Sequence, residues 1–139
     1  MNAFETLLAK WQPTALSLFR FITGLLLLQF GIAKIFKFPA VPMFAKVELM
    51  SLIGAAGTLE LILGALLMVG LFTRLVAFVL SGEMAFAYFM GHMFKGADPV
   101  FLPLLNGGTL AIMFCFACLY LATSGGGPQS LDAMLRDKN

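Results

Sequence analysis

Four apolar blocks of 21 to 23 residues run along the chain, separated by short intervals rich in Gly, Pro or charge. The first covers residues 14–36 and is interrupted by Arg20 and Gln29. The second covers 49–70 with Glu60 as its charged residue, and the third covers 74–94 with Glu83 and His92. The fourth covers 103–123 and contains Asn106. At about 1.5 Å per residue each block makes a helix of roughly 32–35 Å, which spans a hydrocarbon core of about 30 Å with modest tilt. The pattern predicts an all-α, integral membrane four-helix bundle of antiparallel up-down topology, forming one domain over residues 1–139.

The intervals agree with that reading. Residues 37–46 carry Pro39 and Pro42 and make the longest loop. Residues 71–73 after Gly70 allow only a tight turn, so the second and third helices should be neighbours. Ser124 to Pro128 (Ser-Gly-Gly-Gly-Pro) stops the fourth helix, because glycine and proline continue a helix only at a cost. The polar tail has room for a turn of helix starting near Ser130. Residues 1–13 are amphipathic, with Trp11 suited to a membrane interface. Pro13 is expected to end a helix before it or start the one after it. The opening is not basic and the apolar run after it is long, so it is taken as a retained span rather than a signal peptide.

Composition narrows the class further. Sixty per cent of the residues are hydrophobic and 12% charged, against about 45–50% and 25% in soluble domains. Sixteen charged groups cannot cover a soluble monomer of this size. The net charge of +2, without any basic run, gives no reason to expect nucleic acid as a partner. The expected partner is the lipid bilayer. Lys and Arg are balanced four against four between the two sets of loops, and Arg20 tips the count toward cytoplasmic termini.

The polar residues inside the spans carry the chemistry. A charge at membrane depth costs about 2.5–3.5 kcal/mol on insertion scales, so such groups face a bundle interior or a wet cavity. Counting from the helix centres places Glu60 and Glu83 near the midplane and Arg20 toward the termini. Lys34, His92 and Asn106 fall toward the opposite face, with Gln29 between them and the midplane. This is a polar funnel narrowing to two carboxylates. Glu60, Glu83 and His92 are the candidate catalytic groups. Arg20, Gln29, Lys34, His92 and Asn106 are the candidate ligand contacts. No metal site is expected.

At about 100° per residue, Arg20, Gly24, Gly31 and Lys34 share one face of the first helix. Gly57, Glu60 and Gly64 share one face of the second, where small residues let helices approach. Glu83 and His92 point to opposite sides unless the third helix bends near Gly91. Structural roles stand beside these functional ones. Arg20 and Glu60 could form a buried pair, His92 could bond a loop carbonyl, and Lys34 could snorkel to headgroups. Cys115 and Cys118 form Cys-Phe-Ala-Cys in the middle of the fourth block. Among apolar neighbours such thiols are inert. Core packing is the preferred role, with a redox role as the alternative.

Several segments, in order, resemble the DoxX family of small four-span membrane proteins. They are Arg20–Gly24 (Arg-Phe-Ile-Thr-Gly), Gln29–Lys34 (Gln-Phe-Gly-Ile-Ala-Lys), Glu60–Gly64 and Gly70–Arg74 (Gly-Leu-Phe-Thr-Arg). Glu83-Met84 to His92, Asn106-Gly107-Gly108 and Gly127–Asp132 follow. The family often carries His where Gln29 stands and an acid where Thr109 stands, so no role needing a second histidine or a third buried acid is carried over. The resemblance implies a multi-pass protein of the bacterial inner membrane. The family is named from a quinol-oxidase-associated protein, and its members are linked to thiol and oxidative-stress systems.

Three functions follow. The first is a redox- or quinone-associated membrane subunit, possessing no bis-His haem site because there is one histidine. A quinone is the cofactor this reading suggests, with a membrane or redox protein as partner. The second is a non-catalytic assembly or scaffold subunit. The third is a small solute or proton pathway using the buried carboxylates. Met-, Phe- and Gly-rich faces permit a homo-oligomer without requiring one.

Overall fold

The computed structural model describes all of residues 1–139 and is helical throughout, with no strand. Helix α1 runs Ala3–Phe36, α2 Leu52–Val69 and α3 Thr73–Tyr88, the last continuing as a π-helical turn over Phe89–Met93. Helices α4 (Pro103–Asn106), α5 (Thr109–Ser124) and α6 (Leu131–Asp137) complete the chain, with a 3-10 turn at Pro42–Phe44. Three helical segments are long and apolar enough to cross a membrane: Ala3–Phe36, Leu52–Val69 and Thr73–Met93.

Three expectations need correction. Pro13 neither ends nor begins a helix but lies inside α1, which starts with an Asn2 capping box and runs 34 residues, about 51 Å. The missing N–H costs one hydrogen bond, and the helix continues because nothing at that exposed turn requires the chain to bend. The second span starts at Leu52 rather than 49, because Ser51 caps it by accepting from the Gly54 N–H. The fourth block is not one helix. Gly107, at φ 75°, ends α4, and the 16 residues of α5 reach only about 24 Å.

Helix α1 packs chiefly on α2, and α3 chiefly on α5, with contacts between α2 and α3 and between α1 and α5 joining the two pairs. Backbones nearly touch in the first pair. A Cβ on Gly24 would strike the backbone of Met68, one on Gly31 that of Leu61, and one on Gly64 would lie 2.8 Å from Leu28 N. The glycine stripes expected from helical phase therefore set the approach. Leu27, Leu67, Ala77, Leu80, Cys118 and Leu121 fill the centre between the pairs. Outside, Phe78, Phe86, Met113 and Phe116 lie exposed. Side chains this apolar on all sides of the outer surface face lipid, which has no polar demand to meet.

The tail folds back under the α2–α3 turn. Asp132 accepts from the Phe72 and Thr73 N–H groups at 2.8 Å each and so caps α3 from a distant segment. Phe72 is left-handed at φ 52°, a conformation costing an L-residue about 1–2 kcal/mol, and these bonds hold it. Burial alone would raise the Asp132 pKa; the N–H groups of Thr73 and Phe72 and the nearby Arg20 charge outweigh it and hold the carboxyl below its usual value. A lowered folded pKa means that the contribution is complete above about pH 4 and is lost as pH falls below it. Asp132→Ala should cost about 1–2 kcal/mol at neutral pH. Melting the protein and the variant at pH 7 and pH 3 should show the difference shrinking in acid.

Candidate functional site

Close approach of α1 and α2 creates the centre of the site. Gly57 leaves room for the Lys34 side chain, whose Cβ would be 2.8 Å from a Cβ placed there. Lys34 Nζ then donates to both oxygens of Glu60, at 2.9 Å each. The side chains are 13% and 2% exposed. The ammonium also lies 5.9 Å from the Phe30 ring centre and 5.4 Å from that of Phe44, within cation–π range. Lys34 is thus turned inward rather than snorkelling, and Glu60 pairs with Lys34 rather than with Arg20. The reason is position: Arg20 lies near the middle of α1, about 21 Å along the helix from Lys34, where Nη2 donates to the Gln129 carbonyl at 2.9 Å.

Above the pair opens a cavity of about 510 Å³. Its polar lining is Gln29, Lys34, Glu60 and His92; apolar side chains such as Leu27, Met84, Leu110 and Phe114 make most of the rest. Val41, Met43 and Phe44 of the loop after α1 close one side. Lys37, left-handed at φ 58°, ties that loop down by donating to the carbonyls of Lys34, Phe44 and Val47.

His92 reaches the cavity through the π turn. The Phe94 N–H bonds the Phe89 carbonyl, five residues back, at 2.9 Å, which advances the phase of the helix around Gly91 and His92. His92 Nδ1 lies 3.2 Å from the Asn106 carbonyl. A carbonyl only accepts, so Nδ1 carries the hydrogen and Nε2 is free to act as an acceptor. The loop-carbonyl role and the cavity position coexist.

Asn106 does not line the cavity. Its amide donates to the Val100 carbonyl at 2.8 Å and to the Tyr88 hydroxyl at 3.2 Å, and its side-chain oxygen accepts from the Gly108 N–H at 2.8 Å. It holds the break between α4 and α5 and, through its own carbonyl, the His92 ring. Glu83 also lies outside the lining. Both its oxygens are buried without a hydrogen-bond partner, and the carboxylate faces the Lys34–Glu60 pair and Cys118. Of the seven singled-out residues, the fold brings Gln29, Lys34, Glu60 and His92 together, sets Glu83 and Asn106 behind them, and leaves Arg20 at the other end.

The cysteines fit the packing role. Cys118 is fully buried in the central core, Cys115 is half-buried, and both are free thiols. The Ser81 hydroxyl donates to the Cys115 carbonyl at 2.8 Å. The loop residues Phe44 and Lys37 were missed as part of the site. Two cues were present in the chain, the Phe-Lys-Phe-Pro run and the hydrophobic loop after it, but neither says which way the loop folds.

Comparison with known proteins identifies the family. No solved structure matches the chain. A protein of Haemophilus influenzae described as uncharacterized is 39% identical over 129 residues, covering 90% of this chain and 93% of that protein. The DoxX family profile matches residues 15–93, a stretch that holds Arg20, Gln29, Lys34, Glu60, Glu83 and His92. The Lys34–Glu60 pair and the other polar groups lining the cavity lie within the part of the chain that matches this profile, and the protein belongs to the DoxX family.

Proposed function

We propose that this chain is a redox-associated subunit of the bacterial inner membrane whose cavity takes a flat lipophilic carbonyl compound of the quinone class. One observation carries the reading: four polar side chains, Gln29, Lys34, Glu60 and His92, converge on a largely apolar space of about 510 Å³. Ligand sites have this form, an apolar body with a few placed polar groups, in about 300–1,000 Å³. A quinone would supply two-electron chemistry coupled to proton uptake. The Gln29 amide and the Lys34 ammonium are donors suited to its ring oxygens, and His92 Nε2 accepts from a hydroxyl in the reduced form. Glu60, held by Lys34, and Glu83 behind it provide the proton-carrying groups. Helix α5 with α4 completes a fourth span, giving an antiparallel bundle in one domain with cytoplasmic termini.

The test is native mass spectrometry of the detergent-purified protein with its absorbance spectrum, followed by titration with a short-tailed benzoquinone. Retained or saturable quinone is expected, with His92→Ala and Lys34→Met each weakening it about tenfold, the worth of one hydrogen bond to a charged or well-placed group. A clean apo mass with no saturable quinone binding overturns the reading. The scaffold function would then lead. It has its own motive in the first three turns of α1, where Phe4, Leu7, Leu8 and Trp11 are exposed, and its test is a stoichiometric co-purifying partner.

A further inference from the structure

At the other end of the molecule the tail builds a second, polar cleft of about 410 Å³. Its walls are the α2–α3 turn, the Ser124–Gly127 loop and α6, and Arg74 and Arg136 both line it. The loop is fixed in place. Gly125 and Gly127 have positive φ, 80° and 83°, which favours glycine, and a Cβ on Gly126 would lie 2.7 Å from Thr73 Oγ1 and 3.2 Å from Ser130 Cβ. The Gln129 N–H donates to Ser17 Oγ at 3.1 Å, binding the segment to α1.

A third arginine lies beneath the floor. Arg20 is 4% exposed. Its Cδ would be 3.4 Å from a Cβ on Gly126, and its Nη1 contacts Gly70 beside Ser130; Gly126 and Ser130 line the cleft. Arg20 Nε and Nη1 are buried and have no hydrogen-bond partner. Such a charge is expensive unless an anion compensates it. Asp132 is the one carboxylate lining the cleft, and both its oxygens are engaged by backbone N–H groups. Asp132 offsets part of the Arg20 charge behind the lining, and Arg74 and Arg136 in the lining leave the cleft positive. Arg74 Nη1 donates to the carbonyls of Ala122 and Thr123, while its Nη2 and Nε lie beside Gly125.

We propose that this cleft binds a phosphate group, with Arg74 and Arg136 as contacts and Arg20 as the fixed charge behind them. It lies where α2 and α5 end and α3 begins, and Phe72 and Leu75 on its walls are exposed. The phosphate of an anionic lipid, with its chains along those side chains, and a free phosphate share this chemistry. Basic pockets at helix ends bind lipid headgroups in this way.

Native mass spectrometry in detergent, with phosphatidylglycerol, phosphatidylcholine and inorganic phosphate as probes, tests it. Phosphatidylglycerol should be retained about tenfold over phosphatidylcholine, and Arg136→Gln should cut that preference about tenfold. Arg74→Gln should do the same. If Arg74→Gln fails to fold because the α5 carbonyls lose their donor, Arg136→Gln decides, since Arg136 stands at the exposed end of α6. Displacement of the lipid by millimolar inorganic phosphate would assign the site to free phosphate, and its failure to displace would assign it to a headgroup. Equal retention of the two lipids together with no phosphate binding, or unchanged binding in the arginine variants, overturns the proposal.

Discussion

Lys34→Met should destabilise the protein by about 3–5 kcal/mol, the cost of removing one partner from a buried ion pair. Glu60 is 2% exposed, and both its oxygens are satisfied by the Lys34 ammonium. Without Lys34, Glu60 would face Glu83, whose oxygens already have no hydrogen-bond partner, across an apolar interior. Water from the cavity or a bound proton would have to replace the ammonium. The charge-free double variant Lys34→Met with Glu60→Leu should recover most of the loss, because two desolvated charges are replaced by packing of similar volume. Denaturation in mixed micelles followed by circular dichroism would show it. A single variant as stable as the parent would mean that the pair contributes nothing net, and the cavity would then need another source of its shape.

Gly31→Ala and Gly24→Ala should each cost about 2 kcal/mol or more, because overpacking is cheap only where the struck atoms can move. Here they are backbone: Leu61 opposite Gly31 and Met68 opposite Gly24. A methyl on either would drive α1 from α2, and Gly31 lies one turn before Lys34, so the Lys34–Glu60 distance would open with it. The double variant should therefore lose the proposed quinone binding before it loses helix content. Gly82→Ala is the control. No atom lies within 4 Å of a Cβ at that position of α3, and alanine is favoured over glycine in a helix by about 1 kcal/mol. A destabilised Gly82→Ala equal to the Gly31 variant would show that the methyl acts through something other than the α1–α2 contact.

How much of the site was legible can be followed residue by residue. Depth was, since it depends only on counting along a helix of known rise: Lys34, Gln29 and His92 were placed on one side and Arg20 on the other, as found. Azimuth was legible within one regular helix, which is why the glycine stripes of α1 and α2 emerged from the pattern. It failed where the helix changes type. The π turn at Phe89–Met93 re-aims His92, and the amide network of Asn106 replaces a continuous fourth helix by two. Pairing was not legible either. Arg20 and Lys34 share a face of α1, and which of them meets Glu60 depends on the register of α2 against α1.

The sequence by itself determined that this is a helical membrane protein of the DoxX family, where its second and third apolar helices begin and end to within a few residues, and which polar groups lie at depth. Those follow from local hydrophobicity, turn chemistry and helical period, which need no knowledge of neighbours. Only the tertiary structure decided that Lys34 rather than Arg20 neutralises Glu60, that the loop after α1 closes the cavity, and that the tail returns to cap α3 and build the arginine cleft. Each of these joins residues far apart in the chain, and the contact of glycine-faced helices sets their register through packing that no single segment encodes.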